Sequence, residues 1–197
     1  MFVGGSSVQA QQAAAALGDI FISWGEAPPQ LRELFASVAT LAAQRGRQLA
    51  CGSRFHVITR DSAADAWQVA NGMLAGLDPA MVAAAQARMQ RSESVGQRRV
   101  AAMHGGQAGN LEVYPNVWAG YGLIRPGPGA ALVGSHEQVA DRIAEYHGLG
   151  AEHLILSGQP HLEEAYWFGE GVMPLLRERG LLASEPPAGV MAGASHG

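Results

Sequence analysis

The 197-residue chain is 48% hydrophobic and 15% charged, a balance that excludes disorder over most of its length and suffices for one sizeable core. Net charge is −4, all thirteen basic residues are arginine, and no basic run occurs, so nucleic-acid binding has no electrostatic support. A single Cys51 excludes an internal disulfide framework and fits a reducing compartment. With no signal-peptide pattern and no apolar run of spanning length, the protein is expected in the cytoplasm and off the membrane.

In chain order, Phe2-Val3 predicts a strand that enters the turn Gly4-Gly5-Ser6-Ser7, and an alanine- and glutamine-rich helix follows to about Leu17. Ser6 with Gln9 fits a capping box, and Gly18 fits the helix stop. A strand, a glycine turn and a helix N-terminus can present backbone N–H groups to an anion such as phosphate. Neither a Walker motif nor a dinucleotide fingerprint is present, and an ordinary turn with a serine cap explains the same residues. Residues 19–24 predict a second buried strand, and Gln30 to Gln44 has apolar residues at helical spacing.

Cys51 to Ile58 predicts a third strand, in which Gly52, Arg54 and His56 share one face and Cys51 takes the other. A guanidinium and an imidazole side by side suit an anion site at the end of a buried strand. The alternative is an edge strand with solvated polar residues. A helix over 62–77 completes three strand–helix alternations, which argue for βαβ units and a parallel sheet.

Residues 78–130 break the rhythm; helices are expected near 81–89 and 94–103, and loops of this length are usually functional or mobile. The rhythm returns with Leu132-Val133-Gly134, a capping box of Ser135 with Gln138, and a helix bearing Val139, Ile143 and Tyr146 on one side. His153 to Ser157 predicts the last strand, and Leu162 to Arg179 a final helix bent at Pro174. From 183 onward Ala, Gly, Ser and Pro predict a disordered tail. No metal-ligand spacing occurs.

Several separated motifs agree in order: Gly4-Gly5-Ser6-Ser7, Phe21 to Glu26, Arg54-Phe55-His56-Val57, Ser94-Val95-Gly96-Gln97, Asn116 to Gly120, Leu132-Val133-Gly134 and Ser157 to Ala165. Together they resemble the C-terminal half of the two-component, FMNH2-dependent alkanesulfonate monooxygenases of the bacterial luciferase-like superfamily. The resemblance implies an α/β fold: half of a (β/α)8 TIM barrel of about four strand–helix units over residues 1–182, with 78–130 as a long mobile insertion. It implies reduced FMN from a separate NAD(P)H-dependent reductase, and O2-dependent cleavage of an alkanesulfonate to aldehyde and sulfite.

By the same resemblance, Gly5, Ser6 and Ser7 hold the flavin phosphate. Arg54, His56 and Arg125 are catalytic, and with Trp24, Gln159 and His161 they surround the substrate. Gln159 stands where the family has a tyrosine, and glutamine is no proton donor of comparable acidity. Four units imply a missing half, hence a truncated product or a separately encoded C-terminal half. Its partner would be an N-terminal half or a second copy. A related organosulfur substrate such as a sulfone, or a non-catalytic half-barrel, are the alternatives.

Overall fold

The computed structural model describes residues 1–105 and 111–182; the expected tail lies outside the described residues. Four parallel strands form the frame: β1 (Phe2–Gly4), β2 (Ile20–Trp24), β3 (Ala50–Arg60) and β7 (Ala151–Ser157). β2 pairs with β1 on one edge and β3 on the other, and β7 lies along the far edge of β3. Helices α1 (Val8–Leu17), α2 (Pro28–Ala43) and α7 (His136–Gly148) cover the convex face. This is an α/β half-barrel.

β3 is longer than its neighbours, and its excess has a use. β6 (Ala131–Ser135) pairs with His56 to Arg60, while β7 pairs with β3 up to His56 on the opposite edge. β6 therefore continues along the edge of β3 that β2 occupies lower down. Two short antiparallel strands, β5 (Val117–Trp118) and β4 (Glu112–Tyr114), extend the sheet from β6.

The convex face of β3 sends Cys51, Phe55 and Val57 into a core with Phe21, Leu31, Phe35, Val38, Ile143 and Tyr146. Cys51 is buried there, opposite His56 as the alternation requires, and burial pushes its thiol up to about 11. Burying each such large apolar side chain stabilises by roughly 1.5–3 kcal/mol. The capping box of Ser135 and Gln138 starts α7, which buries Val139, Ala140, Ile143 and Tyr146 at helical spacing. Tyr146 also donates its hydroxyl to the Glu26 carbonyl at 2.7 Å, tying α7 to the turn after β2.

The concave face is built in rows set by the register. Gly4, Ile22, Gly52 and His153 form one row, Trp24, Arg54 and Ile155 the next, and His56 and Ser157 the one above. Gly52 permits the curl, because a Cβ there would collide with the His153 backbone carbonyl and the Ile22 side chain. The curl brings Phe2 of β1 and His153 of β7 to 6.0 Å between ring centroids across the face.

The segment after α3 (Ala63–Gly72) carries helices α4 (Pro79–Gln90), α5 (Val95–His104) and the single turn α6 (Tyr121–Ile124). The final helix is divided: α8 (His161–Trp167), a π-helical turn (Phe168–Val172) and α9 (Met173–Glu178). Pro174 sits at the start of α9, so the expected bend takes the form of a wider turn just before it. A proline has no N–H for the i−4 carbonyl and its ring crowds that group, which the wider turn accommodates.

Candidate active site

A cleft of about 580 Å³ opens on the concave face at the C-terminal ends of β1 and β2. Its floor is Gly4, Ile22, Trp24, Arg54 and Ile155 from two adjacent register rows. Its first wall is the turn Gly5-Ser6-Ser7 with Ala10 of α1. Gly5 has φ of +132°, and a Cβ there would lie 2.8 Å from the Ala10 Cβ, so only glycine fits without strain.

The cap of α1 is Ser7, whose Oγ accepts from the Ala10 N–H at 3.1 Å, one residue later than the Ser6–Gln9 box expected. Sequence spacing allowed either serine; the extended backbone at Ser7 (φ −72°, ψ 155°) decides it. Ser6 is buried behind it. Gln11 donates to the Ser6 carbonyl at 3.1 Å and accepts from Ser37 Oγ of α2 at 2.8 Å, so two helices fix this turn.

The second wall comes from residues 93–96 at the start of α5. Ser94 caps α5 by accepting from the Gln97 N–H at 3.3 Å. A Cβ at Gly96 would lie 3.1 Å from the Trp24 ring, so the first turn of α5 rests directly on the indole. Arg99 forks onto buried Glu26 at 2.6 and 2.8 Å, and Gln97 Oε1 accepts from the Gly127 N–H at 3.1 Å. The segment 78–130 is thus pinned over the cleft by polar contacts from α5.

One row above the floor, His56 is only 3% exposed. Its Nδ1 lies 3.1 Å from Ser157 Oγ, and its ring packs on Tyr121 at 4.1 Å between centroids, tilted by 33°. Burial, then the charges of Arg125 and Arg54, hold the imidazole down to about 4, against a weaker opposing effect of the Pro128 and Ser157 backbone. His56 is therefore neutral at pH 7. Burial and the charge of Glu164 push the Tyr121 phenol up to about 12, with Arg125 opposing.

Of the residues picked from the sequence, Gly5, Ser6, Ser7, Trp24 and Arg54 line one cleft. His56 is the next residue on the same face of β3, and Arg125 stands close enough for its charge to act on His56. Gln159 and His161 are exposed at the turn between β7 and α8 and do not line the cleft. Ser157 and residues 94–96 stand in motifs quoted above without a site role, and Tyr121 was not picked at all. Nothing local links Tyr121 to His56. Among the described residues no group of three or more His, Cys, Asp or Glu could hold a metal ion. No described helix is long and apolar enough to cross a membrane.

The fold has close counterparts. A riboflavin lyase, RcaE, solved with modified FMN and riboflavin, superposes with a TM-score of 0.70 at 24% identity, over 93% of this chain and 44% of that one. DmoA from Hyphomicrobium sulfonivorans gives 0.68 at 21% identity over 93% and 42%. The EDTA monooxygenase EmoA from Chelativorans sp. BNC1 gives 0.67 at 21% over 92% and 45%. The chain thus spans less than half the length of each of these three structures. At the sequence level, the model of the luciferase-like monooxygenases matches residues 1–153. The chain belongs to the luciferase-like monooxygenase family.

Proposed function

We propose that this chain is the C-terminal, phosphate- and sulfonate-binding half of an FMNH2-dependent monooxygenase that cleaves alkanesulfonates to aldehyde and sulfite with O2. The observation that carries the reading is a single cleft with a helix N-terminus at one wall and Arg54 on its floor. The cradle fits a flavin phosphate: Gly5 leaves the space, and the first turn of α1 offers N–H groups that the helix itself does not use. Reduced flavin, delivered by a separate NAD(P)H-dependent reductase, supplies the oxygen chemistry when bound.

The chain's own residues do the rest. Arg54 offers a planar fork of donors that suits a sulfonate and keeps its charge at any working pH. Trp24 gives a flat apolar surface beside it for the alkyl part of the substrate or the isoalloxazine. Neutral His56 can accept a proton or donate an N–H bond without adding a second positive charge next to Arg54. Arg125 adds positive potential from the insertion, and the 93–96 wall keeps water from the floor.

The test is to supply FMNH2, O2 and alkanesulfonates and to measure sulfite, with and without an N-terminal half. Sulfite release that vanishes in Arg54→Ala supports the reading; no sulfite even with the N-terminal half present removes the sulfonate assignment. The riboflavin lyase and the EDTA monooxygenase named above carry different substrates in their names, so a sulfone or another organosulfur compound belongs in the same assay. A second reading, a half-barrel that pairs with another chain and turns nothing over, is favoured by the outer edges of β1 and β7, which pair with no described strand. Exposed Gln159 at the turn after β7 favours it too.

A further inference from the structure

Tyr121 is 4% exposed, and its hydroxyl is a buried O–H with no hydrogen-bond partner among the described residues. Native proteins satisfy nearly all such groups, so an orphan one calls for a specific partner. Two more buried donors lack a geometric partner close by: Nε of Arg54 and Nε2 of His56. These three belong to one patch. Arg54 and His56 are consecutive residues on the concave face of β3, and the Tyr121 ring lies on His56.

The hydrogen bond between His56 Nδ1 and Ser157 Oγ supports the same picture. When Ser157 donates to Nδ1, the neutral ring carries its hydrogen on Nε2, which makes that atom a donor as well. The Arg54 Nε and the Tyr121 hydroxyl can both donate to a group with several acceptor oxygens, with His56 Nε2 beside them in the tautomer that Ser157 sets. A sulfonate has three such oxygens. Tyr121 comes from α6 in the insertion and is buried against His56, one register row above the cleft floor, whereas Gln159, at the turn after β7, is exposed. The phenol against His56 is therefore supplied by the insertion and not by the turn after β7.

We infer that Tyr121 is a further substrate-binding residue, whose hydroxyl donates to a sulfonate oxygen alongside Arg54 and His56. This rests on the proposed sulfonate site, and the two can fail separately. The experiment is calorimetric titration of 1-octanesulfonate into the full chain, Tyr121→Phe and Arg54→Ala. Phenylalanine keeps the ring against His56, so unchanged His56 ring nitrogen shifts and an unchanged melting temperature verify that only the hydroxyl is lost. A bond from a neutral donor to an anion predicts about tenfold weaker binding in Tyr121→Phe. Binding within about twofold of the parent would overturn the inference while leaving the Arg54 site standing. A parent chain that binds no 1-octanesulfonate would overturn both.

Discussion

The two outer strands of the parallel sheet end in turns of opposite character. After β1, the turn Gly5-Ser6-Ser7 is enclosed, held through Gln11 and Ser37, and lines the cleft. After β7, Gln159 and His161 are exposed and outside the cleft. What anchors the β7 side is a structural pair instead: Arg60 of β3 forks onto Glu164 of α8 at 2.6 and 3.1 Å, with its guanidinium 4.9 Å from the Trp167 ring. The β1 turn opens onto the cleft, and the β7 side is tied down by an ion pair that holds a helix in place. Substitutions on the two sides should therefore separate, with binding affected on one and stability on the other.

The largest effect is expected on the β7 side. Glu164 has a fully buried carboxylate, so Glu164→Ala strands Arg60 and should cost about 3–5 kcal/mol in urea unfolding. Replacing both partners with apolar residues of similar size should recover most of that loss. Flavin affinity, measured where the variant is folded, should change little; a large change would break the contrast between the turns.

His56 connects the two sides and gives a pH dependence. Its folded-state value is held at about 4, below the ordinary 6.5, so the unfolded chain takes up the proton first. The contribution is fully present above about pH 6.5 and is lost as pH falls toward 4. The loss should approach about 3 kcal/mol. Denaturant melts at pH 7 and pH 5 should show this slope in the parent and much less of it in His56→Gln.

The face of β3 was legible because a strand's two-residue period places Arg54 and His56 together and sends Cys51 to the core, whatever the surroundings. The helix caps were legible to within one residue, since Ser6 and Ser7 offer the same chemistry and only the backbone chooses between them. Tyr121 was not legible. Its contact with His56 depends on how 78–130 folds back over the strand ends, and no local spacing records that. The end-on seating of β6 above β2 was hidden for the same reason, as it follows from the length of β3 and from pairing between His56 and Ala131, 75 positions apart in sequence.

Smaller effects are expected at the β1 turn, and they should appear mainly in binding. Gly5→Ala puts a Cβ at φ +132° against Ala10 and should destabilise by about 2 kcal/mol while weakening FMN more than riboflavin. Ser7→Ala removes the cap of α1 and should cost about 1 kcal/mol. Calorimetric melting and flavin titration of the same two variants would check both.

The central claim is that the Gly5-Ser6-Ser7 wall takes the phosphate of a flavin. Calorimetric titration of FMN and of riboflavin, which lacks the phosphate, into the chain tests it most directly. Binding of FMN at least about tenfold tighter than riboflavin, with the difference abolished in Gly5→Ala, is the expected result. Equal binding of the two flavins, or a preference for FMN that survives Gly5→Ala, would contradict it.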